Sequence, residues 1–233
     1  MVQAMRIFTF RSVWVMALSA LILVFAAGCT GRRQLHATVE YEAISLTPGG
    51  LETHGLGFIT PSTITGQEQD IQSLAFIFAR ALKNERPAIR VVSLPVTLSA
   101  INAAGMADEY KKMYVDYSDT GIFKQDSLRK IGEITGVRYL VQLKLSSFNQ
   151  NSRGRFSFLG LRLFQTKEAN VRLFLQIWNS ELGSIVWEGT EELNYAWDTT
   201  REEPVTFQVA VGEIAQNLVS KLPSADPALL TDQ

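Results

Sequence analysis

The sequence predicts an α/β fold: a mixed sheet with helical crossovers early in the chain, an antiparallel meander late, and helices packed on the sheet. Two observations predict it. Apolar helical stripes and short β-branched runs alternate in the first half of the chain, and three alternating apolar and polar segments precede a last helix in the second half. Parallel strands need crossover connections, whereas consecutive antiparallel strands pair through short turns.

The early elements are predicted from apolar spacing. Strands are expected at residues 39–41 and 56–59. A stripe at helical spacing predicts a helix over 66–84, and Thr65 and Glu68 have the spacing of a capping box at its start.

Three further segments complete the first half of the fold. The short β-branched run at 89–94 favours a buried strand. Residues 97–117 have a helical pattern that Gly105 interrupts, so two short helices are expected, and Gly121 ends the second.

The clearest local unit runs from residue 125 to residue 145. Apolar residues at helical spacing lead to Gly136, which can cap a helix, and the period then changes to two. The odd-numbered residues of 139–145 are apolar, while those at 142, 144 and 146 are polar. This alternation is typical of a strand with one buried face.

The second half continues with two alternating segments, 171–177 and 185–197, whose odd-numbered residues are mostly apolar. Turn residues at 179–183 separate them, so an antiparallel hairpin is expected. A final helix is predicted over 204–222, with Pro204 at a tolerated first-turn position.

Cys29, the only cysteine, closes an apolar run that ends in small residues. Arg6 and Arg11 precede the run, and residues 1–28 contain no acidic residue. A basic start, an apolar middle and a small-residue cleavage region form an export signal, and a cysteine at that point is typical of bacterial lipoproteins. Residues 1–28 are therefore expected to be removed, and Cys29 to carry fatty acids such as palmitate, although Ala26 stands where such signals usually have Leu.

An uncleaved transmembrane anchor is the alternative, because about 20 apolar residues can span a bilayer. Thr30 follows the cysteine where an aspartate would resemble an inner-membrane retention signal. In a bacterium with two membranes, the sequence therefore predicts an outer-membrane, lipid-anchored protein whose domain faces the periplasm.

The domain organisation follows from the anchor. We expect a signal peptide at 1–28, a lipidated tether at 29–37, a single α/β domain at 38–223 and a flexible tail at 224–233. Because lipid consumes the only thiol, the domain must fold without disulfides despite its oxidising compartment.

Composition argues against nucleic acid as a partner. The net charge is −1, and removal of Arg6 and Arg11 makes it −3, so no broad basic face is expected.

No catalytic, cofactor or metal site is predicted, and we expect no enzyme activity. His36 and His54 are the only histidines, and neither has a metal-ligating neighbour at ligand spacing. The acidic pairs at 108–109, 191–192 and 202–203 point to opposite faces of their elements and are expected to be solvated.

The residues 131–141, with the sequence Ile-Gly-Glu-Ile-Thr-Gly-Val-Arg-Tyr-Leu-Val, resemble the helix, glycine turn and strand of the curli-secretion lipoprotein family and of the amino-terminal domain of TolB-like periplasmic proteins. Residues 158–160, 171–178 and 181–187 are similar to later parts of that family, and the resemblance covers roughly 56–222. It implies an envelope domain without catalysis, used as a subunit of an outer-membrane export ring or as a binding module.

The segment 146–170 helps to decide between an export-ring subunit and a binding module. Pore subunits of this family add two long hairpins, and each membrane strand needs about 9–11 residues. The segment has the apolar content for one hairpin, but its alternation slips at 159–160, and 190–203 is too short for a second. Three arginines, Arg153, Arg155 and Arg162, would also need the lumen or the interface.

The sequence therefore favours an apolar flap over the core, or a patch for a partner, over a channel. The candidate patch residues are Phe156, Phe158, Leu161 and Trp197. We expect a non-catalytic binding or assembly module for envelope proteins, attached to the membrane through Cys29, with a homo-oligomeric export-channel subunit as the alternative.

Overall fold

The computed structural model describes residues 33–158, 161–199 and 206–225, with side chains described for 36–149, 169–194 and 206–225. Cys29 and the signal sequence lie outside this part. Among the helices of the described residues, none combines the length and apolar character that crossing a bilayer requires.

Seven strands and six helices form the described fold, in one mixed sheet with helices on both faces. The strands are β1 (Arg33–Ala43), β2 (Leu56–Phe58), β3 (Ser62–Thr63), β4 (Val91–Val92), β5 (Tyr139–Phe158), β6 (Leu161–Asn179) and β7 (Ser184–Thr199). The helices are α1 (Gly50–His54), α2 (Glu68–Glu85), α3 (Leu94–Ala103), α4 (Ala107–Thr120), α5 (Gln125–Thr135) and α6 (Phe207–Ser220).

The predicted sheet topology is confirmed. The strand order is β1-β7-β6-β5-β2-β4, and β3 also pairs with β5. The short strands β2 and β3 run parallel to β5, and β2 runs parallel to β4. The long strands β5, β6, β7 and β1 are antiparallel to their neighbours. The early crossovers therefore use helices, and the late strands form a meander.

Two apolar cores hold the layers together. The first core lies between the sheet and the helices α2 and α6, and its buried members include Phe78, Leu218, Leu143 and Leu175. The second core lies under α3, α4 and α5 on the opposite face. Its buried members are Ile59, Ile101, Met113, Phe123, Leu128, Ile131, Val137, Leu140 and Trp178.

The helix ends predicted from glycine are confirmed. Gly105 lies between α3 and α4, Gly121 follows α4, and Gly136 follows α5. Gly121 and Gly136 have φ of 71° and 67°, a left-handed conformation that glycine adopts at low cost. The change from helix to strand after Gly136 therefore has a signal in the local sequence.

Two early predictions are wrong in detail. The capping box does not form, because α2 begins at Glu68 with Gln67 as N-cap, and the Thr65 hydroxyl donates to the Asp70 carboxylate at 2.6 Å instead. The strand predicted at 89–94 shrinks to the two half-buried residues of β4. Pro95 occupies the first turn of α3, a position that its fixed φ favours, so the chain turns into a helix after Ser93.

Two side chains lie on other surfaces than the alternation predicts. Gln142 was expected to face solvent, but it is buried beside Tyr114 of α4, because helices cover both faces of β5 at this point. Ile185 packs against the second core, whereas Trp187 is buried in the first. A register shift leaves Val186 without a partner on β6 and reverses the alternation there.

The domain boundaries also move. β1 already begins at Arg33, inside the predicted tether at 29–37. At the other end, Ser224 of the predicted tail is buried. The buried Arg86 fixes this end, since its guanidinium donates to the carbonyl oxygens of Leu222 and Pro223, each at 2.8 Å.

The strand register makes a direct prediction for stability. Leu143→Ala and Leu175→Ala should each lower the free energy of unfolding by about 2–5 kcal/mol, because both side chains are buried in the first core. Lys144→Ala, at the exposed neighbouring position, is the matched control and should change it by less than about 0.5 kcal/mol. Chemical denaturation measures all three. Equal small changes would mean that the register is wrong.

Candidate functional site

The strands β5 and β6 are the two longest of the described sheet. β5 has 20 residues and β6 has 19, and their antiparallel ladder is traced as far as the pair Phe158 and Leu161. Phe148 and Ala169 are the described residues nearest the end of this ladder that belong to the first core or pack against it. Residues 149–158 and 161–168, which we call the outer hairpin, therefore continue the sheet. The backbone of the outer hairpin belongs to the β5–β6 ladder, and its use as an apolar flap over the core or as a patch for a partner stays a prediction.

The sequence-predicted patch lies partly together on this backbone. Phe158 pairs with Leu161, and Phe156 pairs with Phe164, next to the end of the outer hairpin. Trp197 pairs with Lys167 and with Arg33, farther back along the strands. The side chains of the four patch residues lie outside the described part of the chain, as does Cys29, so their roles stay predictions.

A second surface is the face of the sheet that α3, α4 and α5 leave bare. It forms a concavity of about 470 Å³, which we call the open face. It is lined by alternate residues of three neighbouring strands: His36, Thr38 and Glu40 of β1, Thr190, Glu192 and Asn194 of β7, and Arg172 and Phe174 of β6. The lining residues alternate along each strand because every second side chain of a strand points to the same face of the sheet.

A row of hydrogen bonds crosses the open face. The Arg172 guanidinium donates two hydrogen bonds to Glu192 Oε2, one from Nε at 3.1 Å and one from Nη2. Asn170 Nδ2 donates to Glu192 Oε1 at 3.3 Å and to Asn194 Oδ1 at 2.7 Å, and Ser147 Oγ donates to Asn170 Oδ1 at 3.2 Å. The row joins β5, β6 and β7.

The hydrogen bond from Arg172, followed by the one from Asn170, lowers the pKa of Glu192 from its ordinary value. This carboxylate is therefore ionised at neutral pH. Exposed ion pairs contribute little to stability. The row of hydrogen bonds instead holds its side chains in fixed orientations. It presents fixed donors and acceptors beside one aromatic ring, Phe174.

The chemistry of the open face suits binding. Within the described ranges, no group of three or more His, Cys, Asp or Glu residues is arranged to hold a metal ion. His36 lines the concavity, while His54 lies at the end of α1 against the ring of Tyr139, with 6.1 Å between ring centroids. The structure therefore does not bring the two histidines together. The prediction of a protein without enzyme activity remains a prediction.

A half-buried polar seam joins α4 to Thr60, which follows β2. Tyr114 of α4 donates to the carbonyl oxygen of Thr60 at 2.7 Å, and Tyr110 accepts from the Thr60 amide at 2.9 Å. Burial raises the pKa of both tyrosines, so they remain neutral donors and hold α4 against the sheet. Sequence reasoning missed this seam. Its signal is the spacing of Tyr110, Tyr114 and Tyr117 along one side of a helix.

Glu191 corrects the prediction of solvated acidic pairs. Glu192 faces the open face, but Glu191 is fully buried on the opposite face, where α6 covers the sheet. Asn217 of α6 donates to its Oε1 at 2.8 Å, while Oε2 has no hydrogen-bond partner. Burial, opposed by the Asn217 bond and helped by the charge of Glu213, raises the pKa of Glu191 to about 7. The sequence does carry a signal for this burial. Glu191 has an odd number, and most other odd-numbered positions of this strand are apolar.

Comparison with known proteins identifies no family. No protein-family model matches the chain, and no curated protein matches it either. The resemblance to the curli-secretion and TolB-like families is therefore not confirmed.

Solved structures that match the chain include three bacterial proteins. The PelC dodecamer from Paraburkholderia phytofirmans matches 82% of this chain and 100% of its own, at 12% identity and a TM-score of 0.46. The lipoprotein GNA1162 from Neisseria meningitidis matches 71% of this chain and 95% of its own, at 9% identity and a TM-score of 0.37. The LpoB C-terminal domain from Salmonella enterica matches 63% of this chain and 84% of its own, at 15% identity and a TM-score of 0.38. Likeness at this level transfers no function.

The buried Glu191 predicts a pH dependence of stability. Its pKa is about 7 in the folded chain and 4.5 ordinarily, so between these pH values the folded state holds a proton that the unfolded state has lost. The free energy of unfolding should therefore fall, on the order of 1–3 kcal/mol, as pH rises from 4.5 to 7.

Denaturation at several pH values measures this fall. Glu191→Gln should remove it, because the amide does not titrate, and the exposed Glu192→Gln should retain it. A fall of the same size in the Glu191→Gln variant would show that another group is responsible.

Proposed function

We propose that the protein is an outer-membrane lipoprotein whose periplasm-facing domain acts, without catalysis, as a binding module for other envelope proteins. The observation that carries this proposal is strand β1. It has 11 residues and stands at the end of the described strand order, so only β7 pairs with it. A long unpaired strand edge is a template for a further strand, and natural proteins usually shorten or cover such edges.

The side chains of β1 define the chemistry of the partner. Glu40 and Glu42 are exposed on the side of the open face. On the opposite side, Tyr41 stacks on the buried Trp187 with ring centroids 6.3 Å apart, which fixes the strand to the first core. An added strand would gain main-chain hydrogen bonds from β1. Lys or Arg at its alternate positions would lie beside the glutamates and the open face.

Site-specific photo-cross-linking in intact cells tests this proposal. A photoreactive residue in place of Thr38 should form a discrete adduct with an envelope protein, because Thr38 lies on the edge strand and lines the open face. The matched control replaces Ser99, which is exposed on α3. The adduct should disappear when Glu40 and Glu42 are both changed to Lys. The proposal would be contradicted if only the residue at position 99 formed an adduct. It would also be contradicted if the adduct at position 38 persisted after Glu40 and Glu42 were changed to Lys.

The anchor has its own test. Cys29→Ser should leave the precursor uncleaved by lipoprotein signal peptidase and abolish incorporation of labelled fatty acid, because the serine hydroxyl cannot replace the thiol. Gel mobility and labelling measure the two effects. Normal labelling of the Cys29→Ser variant would refute the lipid anchor.

The outer hairpin favours a second candidate function, that of a subunit in an oligomeric export channel of the curli-secretion type. Its β5 strand covers residues 149–158, which matches the roughly 9–11 residues that a membrane strand needs. A subunit would thus offer one strand of membrane length to a shared barrel, whereas the β6 arm of the outer hairpin, 161–168, is about one residue short of that length.

A further inference from the structure

We propose that the buried carboxyl of Glu191 is a proton-controlled catch for α6. The helix stays closed on the sheet while the carboxyl holds its proton, and it opens locally when the proton leaves. This inference goes beyond the proposed binding function and does not depend on it. It is carried by the burial of Glu191, by the hydrogen bonding of its two oxygens, and by the way in which β7 and α6 are held in the fold.

The carboxyl of Glu191 lies between the sheet and α6. The residue has no exposed surface. Its Oε1 accepts a hydrogen bond from Asn217 Nδ2 of α6 at 2.8 Å, whereas its Oε2 is buried without a hydrogen-bond partner. A neutral carboxyl in this place leaves one hydroxyl unsatisfied, but an ionised carboxyl leaves a buried charge. The buried charge costs more free energy unless a cation pairs with it.

Among the described residues, the groups that face Glu191 supply no such cation. Beside it in the sheet lie Val39 of β1 and Leu173 of β6, and both are apolar. The charged group that faces it from α6 is the carboxylate of Glu213, which disfavours a second anion. Tyr41, two residues along β1, brings no positive charge, and the side chains that α2 buries in the first core are all apolar. The closed position of α6 therefore favours the protonated form of Glu191.

Relief of a charge on Glu191 has to come from α6, because the sheet holds β7 in place. β7 is hydrogen-bonded along both edges, to β1 and to β6. α6 lies on the sheet through its side chains, so it can lift and admit water without breaking the strand ladders. The end of the helix stays attached, because Arg86 holds the carbonyl oxygens of Leu222 and Pro223.

Apolar contacts keep α6 closed most of the time. Six of its side chains have no exposed surface: Ala210, Val211, Ile214, Ala215, Leu218 and Val219. Their burial stabilises the closed position, so the open form is a minority. Loss of the proton from Glu191 raises the population of this minority form.

The pKa of Glu191 sets the size of the effect. Burial raises it to about 7 in the closed form, from 4.5 when water surrounds the group. The closed form therefore binds the proton more tightly, and opening becomes more favourable as the pH rises from 4.5 through 7. Between about pH 5.5 and about pH 8, the equilibrium constant for opening should rise about tenfold or more.

Hydrogen–deuterium exchange with mass spectrometry tests the proposal on the full chain in detergent. Dividing the intrinsic exchange rate at each pH by the measured rate gives a protection factor. Peptides from α6 report its opening, and peptides from 139–145 and 171–177 report unfolding of the sheet. The protection of α6 should be about tenfold or more below that of these strands. It should also fall about tenfold or more between about pH 5.5 and about pH 8.

Two variants and a control assign the effect to Glu191. Glu191→Gln should keep the protection of α6 constant over this pH range, because the amide does not titrate. Glu192→Gln, on the open face, is the matched control and should retain the fall. Asn217→Ala removes a hydrogen bond that lowers the pKa of Glu191, so the midpoint of the fall should move to higher pH.

Several results would overturn the proposal. Equal protection of α6 and the strands would mean that the helix opens only when the sheet unfolds. Protection of α6 that is the same at both pH values would mean that no proton controls it. A fall that persists in Glu191→Gln would assign the proton to another group. An unchanged midpoint in Asn217→Ala would show that the contact between Asn217 and Glu191 does not couple the proton to the helix.

Discussion

The antiparallel ladder between β5 and β6 is the constraint on which the rest of the structure depends. Its inner half is covered by helices on both faces, with the first core on one side and the second core on the other. Its outer half carries the same backbone pairing as far as Phe158 and Leu161. One continuous pair of strands therefore serves both as the centre of the core and as the support of the outer hairpin.

The local elements could be predicted from the sequence where they depend on neighbours along the chain. The unit of α5, Gly136 and β5 is the clearest case, because apolar spacing, a left-handed glycine and a change of period agree. The antiparallel pairing of β6 and β7 also follows from two alternating segments around a short turn. These signals are local and need no knowledge of which surfaces meet.

The rest depended on contacts between distant parts of the chain. Gln142 is polar in an alternating strand, yet α4 covers it, and Glu191 is buried because α6 packs on its face. The segment 146–170 has the apolar content for one hairpin, but its alternation slips, and the structure has register shifts between Gly154 and Ser157, so the continuous pairing of β5 with β6 could not be predicted. The open face combines β1 with β6 and β7, which lie more than 100 residues later. No local pattern shows that these strands meet.

The account rests on a domain that binds partners through an open strand edge rather than one that closes with its own copies into a channel. Native mass spectrometry of the lipoprotein, extracted gently from membranes, tests this claim most directly. The account predicts the mass of one or two chains, alone or with a different envelope protein. A large closed ring of identical chains that conducts ions in planar bilayers, and that loses both properties when Arg153 to Gln165 is replaced by a short glycine-rich turn, would contradict it.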